Sequence, residues 1–386
     1  MSSFAIGIAP QALARLNSVL SSKLEFRVES SKAVVDSINK KRKLGTKRAV
    51  LFNQLSGSNL HAVRPIDLLR KLGTLTTPAS ANMARLSASW ATLRYCWAIE
   101  PNSGKDRLPL RLSPDARQLD FHQKTLLSDE FGIAFAGLLI ERLLGTSEHA
   151  DVSAVLKGRK IKLPPATLTG RREPDYVMWG PTTPYYIVEC KGTQSSKAQC
   201  IRQMASGLGQ VQSLSFVGPR RAVVKLVVGT QLLAGGTEIF VVDPPDGERK
   251  ARHKGRAKAV VLENNETLET DLAATVDSRL LRWAGQFSLA DELLTKVGVV
   301  TPPTERPPDR DLESRLLSNL EFVGATSAAF PELGKASPRV FRGIRSDRYD
   351  SIRQRSHFER KVAATLSETE TTLSIGKDDT CLAIEM

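Results

Sequence analysis

Glu173-Pro174-Asp175-Tyr176-Val177-Met178-Trp179-Gly180-Pro181-Thr182-Thr183-Pro184-Tyr185-Tyr186-Ile187-Val188-Glu189-Cys190-Lys191 is the stretch on which the reading of this chain turns. Tyr176 to Trp179 and Tyr185 to Cys190 are rich in aromatic and β-branched residues, the composition of strands. The glycine and prolines of Gly180 to Pro184 mark a turn between them, so the segment predicts a β-hairpin. Side chains alternate across a strand, which puts Glu189 and Lys191 on one face and Cys190 on the other. A carboxylate and an ammonium on an otherwise apolar strand are expensive to bury, unless a cation and an anionic substrate sit between them. The competing reading is an ordinary Glu189–Lys191 surface pair on a solvated face.

The set suits phosphodiester hydrolysis. That reaction needs charge stabilisation at phosphorus, an activated water and help for the leaving oxygen. A hard divalent cation meets much of the demand and takes a few carboxylate oxygens plus water and phosphate. Asp175 and Glu189 are the candidate carboxylates, with the carbonyl of Cys190 as a further oxygen ligand. Lys191 is the group to orient or deprotonate the water or to stabilise developing negative charge.

The pattern Pro174-Asp175, thirteen residues, then Glu189-Cys190-Lys191 resembles the motif of the PD-(D/E)xK nuclease superfamily, the restriction-endonuclease-like fold. The resemblance spans residues 120–245 and singles out no one family. It implies a metal-dependent endonuclease acting on DNA, with Mg²⁺ as cofactor and Mn²⁺ as a substitute, in a setting such as restriction or anti-phage defence. Such cores often work as homo-oligomers or with a partner protein. In this superfamily a helix before the hairpin often gives the metal another acidic residue, and a helix after it gives a polar residue that supports the lysine or phosphate.

Both helices are legible. Leu126 to Leu144 carries Leu127, Phe131, Ala134, Phe135, Leu138 and Leu139 at helical spacing, with Ser128 as the expected N-cap. Glu130 is the acidic residue the resemblance implies on it, with Glu141 on the same face in second place. A Glu in the first turn also favours the helix dipole without touching any metal. Ser196 to Leu214 has an apolar stripe of Ile201, Met204, Leu208 and Val211 and a polar side of Gln199, Gln203, Ser206 and Gln210. Gln203 and Gln210 are its candidates, against a simple solvated face. A Q-x-x-x-Y signature is missing, which argues against the RecB-like branch.

A weaker strand is expected around Asp151 to Leu156. Ala222 to Val228 and Glu238 to Asp243 read as buried strands, separated by Gly235-Gly236. The expected fold class is therefore α/β, a mixed β-sheet flanked by helices, with additional N- and C-terminal regions. At 386 residues the chain exceeds the nuclease-like core, and it divides into residues 1–120, 121–300 and 301–386. Pro302 to Pro308 is the clearest linker. Beyond it, Phe341, Tyr349 and Phe358 lie among arginines, either to bind bases or phosphates or to form a small core.

The formal net charge of +14 favours a polyanionic partner. It concentrates in Lys40-Lys41-Arg42-Lys43 with Lys47-Arg48, in Lys157 to Arg172, and in Arg249 to Arg256. The last two flank the hairpin in sequence, as a phosphate-tracking groove requires. Four cysteines without a C-x-x-C pair and no signal peptide point to a reducing, cytoplasmic setting. No apolar stretch is long enough for a membrane span. The alternative to an enzyme is a nucleic-acid-binding or scaffold subunit with a degenerate nuclease fold; RNA cleavage on the same scaffold is a third reading.

Overall fold

The computed structural model describes residues 17–43, 46–77, 94–100, 108–161, 173–218, 221–244, 260–299, 312–328, 339–356, 363–364 and 371–385. The Pro302–Pro308 linker, the Arg249–Arg256 run, Lys162, Arg171, Arg172 and Phe358 lie outside them.

A mixed sheet organises the chain. Its strands are β1 (Leu24–Ser30), β2 (Gly57–Val63), β3 (Glu148–Asp151), β4 (Tyr176–Trp179), β5 (Tyr185–Thr193), β6 (Val223–Leu233) and β7 (Gly236–Asp243). The order is β2-β1-β7-β6-β5-β4-β3, with short strands pairing β1 and β7. The hairpin forms as expected, β4 antiparallel to β5 with Tyr176 opposite Val188. β6 runs parallel to β5, and Lys191 lies opposite Gly229. Because β1 pairs directly with β7, the sheet runs unbroken across the expected boundary at residue 120.

The central strands are apolar because helices cover both of their faces. Tyr185 to Val188, Leu226 to Val228 and Ile239 to Val242 are all buried. The covering helices are α3 (Phe121–Leu144) on one side and α5 (Lys197–Gln212) on the other. Ahead of them in the chain lie α1 (Lys32–Lys41) and α2 (Pro65–Thr76); α4 (Val152–Gly158) sits between. After β7 come α6 (Glu266–Ala284) and α7 (Phe287–Lys296), broken at Gly285, which takes a left-handed φ of 92°.

Two expectations are corrected. Helix α3 starts at Phe121, not Leu126, because Asp120 caps it by accepting from the His122 and Gln123 amides at 2.8 and 3.1 Å. Ser128 is an interior residue whose hydroxyl donates to the Lys124 carbonyl at 2.6 Å. The strand expected over Asp151 to Leu156 is the shorter β3 followed at once by α4. Val152, Val155 and Leu156 are buried together, a helical spacing that the β-branched composition disguised.

The C-terminal region builds a second sheet from β8 (Glu313–Leu317), β9 (Leu320–Ala328), β10 (Arg339–Arg345), β11 (Thr371–Ile375) and β12 (Thr380–Glu385), with α8 (Ser346–Ser356) beside it. Phe341 and Tyr349 are buried, which makes them core residues and not a base-stacking surface. A buried charge cluster fastens this sheet to α2 and α3. Arg70 reaches Asp378 at 2.8 Å and Glu141 at 3.2 Å, while Lys71 reaches Asp378 at 2.6 Å and also pairs with Glu141. Glu141, the second candidate for the metal on α3, is thus committed to structure.

Burial pushes the Asp378 carboxyl upward, but Lys71 and Arg70 outweigh it and hold the group well below the usual carboxylate range. A depressed carboxyl adds stability that is present above its unfolded value near 3.8 and is lost as pH falls below it. Asp378→Ala should therefore cost about 3–5 kcal/mol at pH 7, by leaving two buried cations to share Glu141 alone. Denaturant titrations at pH 7 and pH 3 should show a smaller difference between the two pH values in the variant than in the parent chain.

Candidate active site at the end of the central strands

Asp151 ends β3, Asp175 precedes β4, and Glu189 and Lys191 lie toward the end of β5. Antiparallel pairing of Asp151 with Tyr176 and of Tyr176 with Val188 brings all four to the same end of the sheet. There they line a cleft of about 350 Å³ together with Ser153, Glu173, Pro174, Tyr176 and Gln210.

Asp175 is held by main chain. Its own amide donates to the Val188 carbonyl at 3.0 Å. Cys190 lies past the end of β4, and its amide donates to Asp175 Oδ2 at 2.7 Å. Burial pushes the Asp175 carboxyl up to about 6, against the pull of the Cys190 amide and Lys191; Asp151 and Asp129 add to the rise. The Cys190 thiol is buried.

Glu189 is fully buried, and the Lys191 ammonium pairs with its Oε1. Both face α5, where Gly207 makes room for them. A Cβ at Gly207 would stand 3.0 Å from Glu189 Cγ and 3.7 Å from Lys191 Cε. The other face of β5 meets α3 through a second close approach. A Cβ at Gly192 would lie 1.7 Å from the Ser128 carbonyl oxygen, and one at Gly132 would lie 2.9 Å from the Gly192 amide nitrogen.

This glycine contact fixes the rotation of α3 and decides which acid it presents. The charge of Asp129 reaches Asp175. Glu130 instead sits with Tyr95 and Arg94; burial raises its carboxyl above the usual value, while Tyr95 and Arg94 pull it down. Glu130 does not line the cleft. On α5 the lining amide is Gln210, buried and donating to the Glu173 carbonyl at 3.3 Å. Gln203 lies on the same helix, half-buried, outside the lining. Sequence reasoning missed Asp151, whose carboxylate pairs with the buried Arg279 of α6. Its only sequence signal is a position at the end of a short strand before an apolar helix.

Among the described residues no three His, Cys, Asp or Glu side chains converge as a metal-holding group. The donors present still suit one hard cation. Mg²⁺ is commonly held by one or two carboxylates and keeps several waters, and Asp175 and Glu189 both line the cleft, whereas Cys190, the further ligand expected from the sequence, does not. Among the described residues no helix is long and apolar enough to cross a membrane. Comparison with protein-family models, curated proteins and solved structures finds no match to this chain.

Two outcomes follow from this geometry. Gly192→Ala should destabilise the protein by about 3 kcal/mol or more, because backbone stands where the methyl must go; a thermal melt reads it. Asp175→Asn retains an oxygen acceptor for the Cys190 amide and removes a charge that burial disfavours. Since the folded value near 6 lies above the ordinary 3.8, the ionised acid weakens the fold as pH rises between those values. The variant should therefore be more stable than the parent chain at pH 8 by on the order of 1 kcal/mol, and equal to it at pH 4.

Proposed function

We propose that the chain is a metal-dependent endonuclease that hydrolyses phosphodiester bonds in DNA on a restriction-endonuclease-like core. The observation that carries this reading is the single cleft lined by Asp175, Glu189 and Lys191 at one end of the sheet. The element order supports it: a helix, three antiparallel strands with a short helix between the first two, a helix, a short strand outside the sheet, then a strand parallel to the third.

Asp175 and Glu189 would hold Mg²⁺ or Mn²⁺. A cation bound there would polarise the phosphoryl oxygens and lower the pKa of a bound water. The Cys190 amide orients Asp175 through Oδ2 and leaves its other oxygen for the cleft. Lys191 is paired with Glu189; were Glu189 to hold a cation, the ammonium would be free to face the phosphate. There it would orient the attacking water or offset charge developing on the phosphate. Asp129 and Asp151 add negative potential to the same cleft, which favours cation binding. Gln210 braces Glu173, two residues before Asp175.

The test is incubation of purified protein with plasmid DNA, single-stranded DNA and RNA, in Mg²⁺, in Mn²⁺ and in EDTA. Cleavage should require the metal and fall at least about 100-fold in Asp175→Ala and in Lys191→Ala. Undiminished cleavage in both variants would falsify the site. Tight binding without cleavage in any metal favours a nucleic-acid-binding or scaffold subunit, and cleavage confined to RNA moves the substrate.

A further inference from the structure

The first basic run, Lys40 to Arg48, lies about 130 residues from the hairpin in sequence, yet the fold brings it to the helix that lines the cleft. Between Ser37 and Asn53 the chain carries six cations and no acid. Lys32–Lys41 forms α1, which packs on α5. The segment that follows is anchored to the last turn of α5 through main chain. The Lys47 amide donates to Gln212 Oε1 at 2.8 Å, and Gln212 Nε2 donates back to the Lys47 carbonyl at 3.3 Å. Asn39 closes the loop from the other side, giving to the Ala49 carbonyl at 2.9 Å and accepting from its amide at 2.8 Å. Arg42 spends its guanidinium on the Thr46 carbonyl at 2.6 Å.

These contacts fix the backbone and leave the charges outward. Lys40, Lys41, Lys43 and Arg48 are exposed, and among the described residues none of the four has an acidic partner. Like charges held this close repel one another, and a polyanion is what offsets that repulsion. Gln210 lines the cleft, and Gln212, two residues on, points about 200° away from it, so the basic segment sits on the other flank of α5.

We propose that Lys40, Lys41, Lys43 and Arg48 form a phosphate-contacting surface on the flank of α5 turned away from Gln210, which grips the backbone of duplex DNA outside the cleft. This rests on the nuclease reading for its substrate. Contacts of this kind carry no sequence information; they hold the duplex in register while the cleft acts.

The experiment uses the full chain in EDTA with a fluorescently labelled 30-base-pair DNA duplex, and reads anisotropy over a range of salt. Each phosphate contact contributes about 0.9 to the slope of log affinity against log salt. Neutralising all four residues (Lys40→Gln, Lys41→Gln, Lys43→Gln, Arg48→Gln) should make the slope shallower by about 3–4, with an unchanged thermal transition. Should that variant fail to fold, Lys40→Gln and Lys43→Gln made singly should each lower the slope by about 0.9. An unchanged slope overturns the surface. Tighter binding to duplex RNA or to phosphatidylserine vesicles than to DNA overturns the partner. A shallower slope in a protein that cleaves nothing in Mg²⁺ or Mn²⁺ leaves the surface standing and removes the nuclease reading.

Discussion

A carboxylate with no exposure, Glu189, stands in β5, an interior strand of the sheet, and the packing around it follows from that constraint. A buried charge is tolerable only when paired, and Lys191, two residues along on the same face, supplies the pair. For both side chains to lie under a helix, that helix must approach without a side chain of its own at the crossing, which Gly207 allows. On the opposite face Gly192 and Gly132 let α3 approach to main-chain contact. The strand that bears the reactive residues is thus clamped by two close helix crossings, which limits how far its end can move.

Charge does similar work elsewhere in the fold. Arg348 of α8 reaches Glu148 of β3 at 3.0 Å and Asp277 of α6 at 2.7 Å. Arg279 of α6 reaches Asp151 at the other end of the same short strand. The C-terminal region therefore bears on β3 at one end while the cleft opens at the other. With the Arg70, Lys71, Glu141 and Asp378 cluster, this makes the C-terminal sheet a brace for the core and leaves its arginines largely committed to ion pairs. The positive charge that remains outward among the described residues includes the run beside α5.

Much of the fold was legible in the sequence where periodicity and turn chemistry agree. The hairpin, α5 and the strands on either side of Gly235-Gly236 all form where expected. Reading failed at boundaries where local signals compete. Ser128 looked like a cap because Asp129 and Glu130 follow it, whereas Asp120 caps the helix and the first turns of α3 lie exposed. The β-branched residues after Asp151 suggested a strand, whereas burial of Val152, Val155 and Leu156 on one side selects a helix.

The site divides along the same line. Asp175, Glu189 and Lys191 could be named from sequence because strand alternation and a hairpin turn are local properties, and they determine which side chains share a face. Tertiary structure alone decided that Glu130 sits with Tyr95 and Arg94 away from the cleft, that Gln210 and not Gln203 lines it, and that Asp151 joins it. Adjacent helical residues point about 100° apart, so the choice between neighbours depends on how the helix is rotated against the sheet. Glycine contacts between residues far apart in the chain set that rotation, and no local pattern encodes them. The placement of Lys40 to Arg48 against α5 is of the same kind: composition announced a polyanion partner, and only the packing of α1 on α5 located where it would lie.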